Sequence, residues 1–239
     1  MKRTALITGA SRGIGKAIAE QLAMKGYDLV LTCVHTGEEL KNYAKWLTDE
    51  YQVHCDVFVG DLAQASTCEK LFEQIESLDV LVNNAGIAYY GLLQDMCPEE
   101  LLHVLSVNLQ APMLCSKYAI PLFLKKGEGR IINVSSVWGV VGASMEVAYS
   151  AAKGGLNTFT KALAKELAPS HIAVNAIACG MIDTDMNGHL SQDEKQAVID
   201  EIPADRMASP KEVAQMVQQM IDSPVYLTGQ IIGFDGGWI

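Results

Sequence analysis

The sequence predicts a single α/β domain over residues 1–239: a doubly wound parallel sheet of about seven strands with helices on both faces. Short apolar runs alternate with helix-length amphipathic segments from one end to the other. The runs are nearly continuous in apolar residues, as in strands buried on both faces. With 239 residues, 49% hydrophobic and 19% charged, the chain can fill one large core.

Thr4–Thr8 reads as the first strand. Gly13–Lys25 has helical periodicity and stops at Gly26, a residue suited to ending a helix. Leu29–Cys33, Val53–Val59 and Val80–Asn83 are the next strands. Helices at Gly37–Glu50 and Ser66–Glu76 separate them. Ile131–Val134, Ala173–Ile177 and Ile231–Phe234 complete the strand set. Helices are expected at Pro98–Val107, Ala111–Lys125, Tyr149–Leu167 and Pro210–Asp222. Residues 180–206 form one long polar stretch with a short helical pattern at Gln192–Glu201. Such a segment in a compact domain is usually functional, often a lid.

A net charge of −10 argues against nucleic acid or an anionic membrane as the main partner. No apolar run approaches the 18 residues of a membrane span. Lys2 and Arg3 precede too few apolar residues for a secretory signal, so the expected location is the cytoplasm. The six cysteines (Cys33, Cys55, Cys68, Cys97, Cys115, Cys179) form no Cys-x-x-Cys and pair with no histidine at ligand spacing. Buried free thiols are expected, with neither disulfide nor zinc.

Thr8-Gly9-Ala10-Ser11-Arg12-Gly13-Ile14-Gly15 follows the first strand and opens the first helix. Small residues let the backbone turn tightly and approach a pyrophosphate, and the helix N-terminus offers N–H groups to its charge. This is a Rossmann-type dinucleotide site, although the spacing differs from Gly-x-Gly-x-x-Gly. The second strand ends at Cys33-Val34-His35-Thr36, without the acid that would hold an NAD ribose. Arg12 could meet a 2′-phosphate, assisted by His35 or Thr36. NADP(H) is therefore expected over NAD(H). The plainer reading of Arg12 is a solvated surface charge.

Tyr149 and Lys153 lie four residues apart, with Ser136 thirteen upstream of Tyr149. On a helix, i and i+4 share a face at about 5–6 Å between Cβ atoms. A free phenol titrates near 10, so acid–base use at neutral pH asks for a shift of roughly 3 units, or about 4 kcal/mol. A cation about 4 Å away supplies that only at an effective dielectric near 20. The pair therefore needs a partly dry pocket. Taken alone, Tyr-x-x-x-Lys is commonly a solvent-facing helix pair.

With these motifs in order, the chain resembles the short-chain dehydrogenase/reductase family along nearly its whole length. Asp61-Leu62 is similar to the pair that contacts adenine. Asn83-Asn84-Ala85-Gly86 resembles the family's Asn-Asn-Ala-Gly beside the cofactor cleft. Asn108, Ser136, Tyr149 and Lys153 match its catalytic tetrad. Gly180, Ile182 and Thr184 match the loop beside the nicotinamide, with Cys179 where the family usually has proline. The resemblance implies hydride transfer to a ketone with Tyr149 as general acid. Ser136 would stabilise charge on the oxygen. Lys153 would lower the tyrosine pKa and bind the nicotinamide ribose, and Asn108 would hold a water. A non-catalytic NADP-sensing protein is the contrasting class, but the complete tetrad speaks against it. The family's habit also implies a homotetramer or homodimer through the helices around Ala111–Lys125 and Tyr149–Leu167 and the C-terminal segment.

Within the family the chain is similar to 3-oxoacyl-acyl-carrier-protein reductases. Three features depart from them: Ile87-Ala88-Tyr89-Tyr90-Gly91 after Asn-Asn-Ala-Gly, no arginine in Ala168-Pro169-Ser170-His171, and Glu146 where glutamine is common. A second resemblance is to elongation factor P 5-aminopentanone reductases. It is carried by Ser136-Val137-Trp138-Gly139, Gly142-Ala143-Ser144 with Glu146-Val147, Glu201-Ile202-Pro203 and Gly236-Gly237-Trp238. Both imply a ketone carried on a protein. Glu146 could meet the amine of the second substrate, or simply face solvent or cap its helix. Tyr89, Tyr90, Trp138 and Met145 are the other expected pocket residues, with core or interface packing as the commoner fate of Trp138 and Met145.

Overall fold

The computed structural model describes residues 2–188 and 190–239. The chain runs β1 (Thr4–Ile7), α1 (Gly13–Met24), β2 (Asp28–Cys33), α2 (Gly37–Tyr51), β3 (Cys55–Val59), α3 (Ala65–Phe72), β4 (Val80–Asn83), α4 (Pro98–Leu105) and α5 (Ala111–Lys126). It continues β5 (Gly129–Ser136), α6 (Trp138–Val141), α7 (Val147–Leu167), β6 (Ile172–Cys179), α8 (Gln192–Glu201), α9 (Pro210–Asp222) and β7 (Ile231–Phe234). All sheet pairings are parallel, in the order β3-β2-β1-β4-β5-β6-β7. The seven-stranded Rossmann-type arrangement expected from the sequence is therefore present. Strand order reverses between β1 and β4, which opens a crevice beyond their carboxyl ends.

Alternate strand residues face opposite layers, because side chains switch faces at each step. Ala5, Ile7, Leu29 and Leu31 join Ile18 and Leu22 of α1 and Val213 and Val217 of α9. Leu6, Leu81, Ile131 and Val174 join Leu71 of α3, Phe123 of α5 and Leu163 of α7. Both faces of the sheet are buried, hence the continuous apolar strands.

The differences from expectation have local causes. β6 is longer than expected by Ile172, Ala178 and Cys179, and β5 extends beyond its apolar run because the ladder continues through the buried Ser135 and Ser136. Asn133 Nδ2 donates to Thr160 Oγ1 at 2.8 Å, and Ser135 Oγ to Asn157 Oδ1 at 2.7 Å. These bonds offset the cost of burying the polar groups. Helix α3 stops at Phe72, short of the expected Glu76. α4 and α5 are joined by a π-helical turn, Ser106–Gln110, rather than a break. Among the described residues, no helix is long and apolar enough to cross a membrane.

Candidate active site

The glycine segment forms a cradle at the start of α1. Gly9 and Gly13 take positive φ, +65° and +54°. A Cβ on Gly15 would collide with the Gly9 carbonyl oxygen and Asn84 Nδ2. No side chain caps α1, since Arg12 occupies the N-cap without a capping bond. The N–H groups of its first turn thus have no intrahelical partner, as an anion site requires. Thr8, which the sequence reading left out of the contact set, ties the cradle to β4. Its Oγ1 accepts from the N–H groups of Asn84 and Ala85, each at 3.0 Å, while Asn84 Nδ2 donates to the carbonyls of Thr8 and Gly9 at 2.9 and 3.0 Å. Thr184 reaches over from the loop after β6: a Cβ on Gly13 would lie 3.3 Å from its Cγ2. Ile182 is buried in that loop. Gly180 passes so close to the C-terminal turn that a Cβ would lie 2.8 Å from Asp235 Cα. Arg12 and His35 are exposed, Leu62 is buried, and Asp61 Oδ1 accepts from the Ala63 N–H at 3.0 Å. Glycines that leave no room for a side chain and an uncapped helix start fit the pyrophosphate of a nicotinamide dinucleotide.

The four tetrad residues are brought together and buried. Ser136 ends β5, Tyr149 and Lys153 share α7, and Asn108 lies in the π-helical turn. That turn aims Asn108 inward: its Nδ2 donates to the Ile87 and Val104 carbonyls at 2.8 and 2.9 Å, and its Oδ1 accepts from Ile87 N–H at 3.3 Å. Gly86 keeps a gap beside it, where a Cβ would sit 2.9 Å from Asn108 Oδ1 and 3.6 Å from Lys153 Nζ. Lys153 Nζ donates to the Val134 carbonyl at 2.9 Å and stands 5.5 Å from the centre of the Tyr149 ring.

The electrostatics correct one expectation. Lys153 was expected to lower the Tyr149 pKa. The phenol is instead raised above its ordinary value, chiefly by burial and next by Glu146, against an opposing hydrogen bond from Ser136. Lys153 is drawn down to about 8 by burial, with Cys179 opposing. Burial likewise pushes the Cys179 thiol up to about 12, with Lys153 opposing. The pocket is dry enough that desolvation outweighs the Ser136 hydrogen bond on the phenol.

On the open side, Ile87, Tyr89 and Trp138 pack against Val104, Ala148 and Tyr149. Tyr90 is 57% exposed. Met145 takes φ +67°, unusual for a side-chain-bearing residue, and its carbonyl accepts from Gly91 N–H at 2.8 Å. Glu146 precedes α7 at the N-cap without a side-chain capping bond, so it does not cap the helix. Trp238 also belongs to this wall. Its ring lies 4.9 Å from that of Trp138 at 65°. Only the terminal Gly-Gly-Trp hinted at it, and its partner is 100 positions away. Separately, an apolar cavity of about 610 Å³ opens on the outer faces of α4, α5 and α7, lined by Leu105, Leu109, Met113, Ile120 and Phe159. It contains none of the tetrad.

A dinucleotide cradle beside a buried Ser–Tyr–Lys–Asn cluster defines a nicotinamide-dependent oxidoreductase acting on C=O or CH–OH groups. The chain belongs to the short-chain dehydrogenase family, whose model matches residues 3–195. It is 39% identical over 240 residues to the uncharacterized oxidoreductase YmfI of Bacillus subtilis, covering 100% of this chain and 99% of that one. It is 40% identical over 240 residues to the 3-oxoacyl-acyl-carrier-protein reductase FabG of Aquifex aeolicus, covering 98% and 96%. The fold matches the crystal structure of YwfH, an NADPH-dependent reductase involved in bacilysin biosynthesis, with a TM-score of 0.94 at 27% identity, covering 100% and 99%.

Proposed function

We propose that the protein is an NADPH-dependent ketoreductase of the 3-oxoacyl-acyl-carrier-protein reductase type. The observation that carries this reading is the buried Tyr149 phenol, held protonated beside Ser136. A phenol in that state is a proton donor, as reduction requires. NADPH, when bound, supplies the hydride. Gly9, Ser11, Arg12, Gly13, Ile14 and Gly15 would hold its phosphates, with Arg12 and His35 meeting the 2′-phosphate. Asp61 and Leu62 would flank the adenine, Asn84, Ala85 and Gly86 would line the cleft, and Gly180, Ile182 and Thr184 would border the nicotinamide. Ser136 donates to the carbonyl oxygen, so negative charge forms against a fixed dipole. Tyr149 passes its proton to that oxygen. Lys153 orients the ribose, and Asn108 holds a water that returns the proton from solvent.

Residues 1–239 act as one domain, with 180–206 as the substrate lid. The apolar face around Met113 and Phe159 pairs copies of the chain into a homodimer or homotetramer in the cytoplasm. The FabG relative supports a substrate borne on acyl carrier protein.

Glu146 favours a second reading, reduction of the aminopentanone on elongation factor P. Its charge reaches Tyr149, so a cationic amine near the ketone would meet an opposite charge. NADPH oxidation with acetoacetyl-CoA and with modified elongation factor P separates the two. Brisk turnover on the thioester supports the first, and turnover on the modified protein alone supports the second. Silence on both defeats the ketoreductase reading.

A further inference from the structure

We propose that Trp238 is a positioning residue of the reductase site, fixing Trp138 and through it the Ser136 hydroxyl, while tying that arm to the end of α8. The proposal rests on the ketoreductase reading above.

The contacts form a continuous chain. The backbone N–H of Trp138 donates to Ser136 Oγ at 3.2 Å. The Trp138 ring meets Trp238 edge to face at 4.9 Å, a favourable arrangement for two indoles. The Trp238 indole N–H donates to Glu201 Oε2 at 3.3 Å, at the last residue of α8. The segment carrying Trp238 is itself held. Asp235 accepts from the N–H groups of Gly237 and Ile239, at 3.0 and 3.3 Å. Gly236 has φ +70°, and a Cβ there would lie 2.8 Å from Ala204 Cβ and 2.9 Å from Ile202 Cγ2. Its carbonyl accepts from Ala204 N–H at 3.1 Å. Thus the C-terminal turn is packed against residues 201–204 and aims one large ring at the residue two beyond Ser136.

The test uses the full chain with NADPH and two soluble ketones, acetoacetyl-CoA and ethyl acetoacetate. Trp238→Ala lowers kcat about tenfold, the order expected for loss of one aromatic contact. NADPH affinity stays unchanged, because the cradle is at the other end of the crevice. Trp238→Phe keeps a ring and restores most of kcat. Trypsin cleaves at Lys195 in α8 faster in Trp238→Ala than in wild type, and at the wild-type rate in Trp238→Phe. An alanine variant with wild-type kcat and cleavage overturns the proposal, as does a phenylalanine variant as impaired as alanine. If the wild type reduces neither ketone, the reductase reading fails for them, and equal cleavage at Lys195 in wild type and alanine variant still overturns the tie to α8.

Discussion

Lys153 Nζ donates to the backbone carbonyl of Val134 at 2.9 Å, across to β5 rather than along its own helix to the Tyr149 phenol. The ammonium is thereby a fixed point charge between β5, Gly86 and Asn108. It titrates near 8 because burial penalises its charged form. Ketone reduction should therefore hold below that pH and decline as pH rises through about 8, with the decline absent from NADPH binding at the adenosine end. A pH profile of kcat/KM that stays flat to pH 10 would sink this assignment.

The same two groups shape stability at alkaline pH. A lysine whose folded pKa falls from 10.5 to about 8 is deprotonated in the fold while still charged in the unfolded chain. Stability should rise with pH across that window. Tyr149 has the opposite sign. Its folded pKa is raised, so above its ordinary value near 10 the unfolded chain loses a proton that the fold keeps, and stability falls. Chemical denaturation between pH 7 and 11 should show stability rising above pH 8 until the Cys179 thiol, also raised by burial, offsets the gain above pH 9, and Tyr149→Phe should make the fall above pH 10 shallower without removing it, since burial raises Tyr43 as well.

Tyr149→Phe should also abolish nearly all turnover while leaving NADPH affinity intact, because the phenol lies outside the glycine cradle. Turnover within a few-fold of wild type would refute Tyr149 as the proton donor. Glu146→Gln tests the neighbouring charge. Glu146 is the second cause of the raised phenol, after burial. Its neutralisation should move the phenol's ionisation to lower pH, read by ultraviolet difference titration against Tyr149→Phe. An unmoved titration would show that Glu146 does not act on Tyr149.

Much of the site was legible because it is local. The cradle is eight consecutive residues, and Tyr149 and Lys153 are one helical turn apart, so spacing alone places them. The direction of the Lys153 ammonium was not legible, since its acceptor is a backbone carbonyl on another strand. Nor was the sign of the Tyr149 shift, which depends on how thoroughly the pocket excludes water. The carboxyl end of β5 was not legible where Ser135 and Ser136 continue the ladder, because apolar runs do not register polar residues buried with partners. The Trp138–Trp238 contact joins positions 100 apart and leaves no periodic trace.

The far end of the 180–206 segment is tied to the start of α9. Arg206 grips Glu212 through two bonds, at 3.0 and 2.7 Å, and the same carboxylate accepts from Ser209 N–H and Oγ. Ser209 in turn accepts from Glu212 N–H, a capping box that starts α9. Arg206 first, then Ser209, hold the Glu212 carboxyl at about 2. Because the folded pKa is depressed, this contribution is present above the ordinary carboxylate value near 4.5 and is lost as pH falls toward 2. The pair is exposed, so salt should weaken it. Ser209→Ala should cost about 1 kcal/mol of stability at neutral pH, as loss of an N-cap does. Arg206→Ala should cost less at neutral pH and flatten the acid dependence between pH 5 and 3. Thermal unfolding of both variants at low and high salt measures this. An acid dependence in Arg206→Ala equal to that of wild type would show that the ion pair does not anchor the segment to α9.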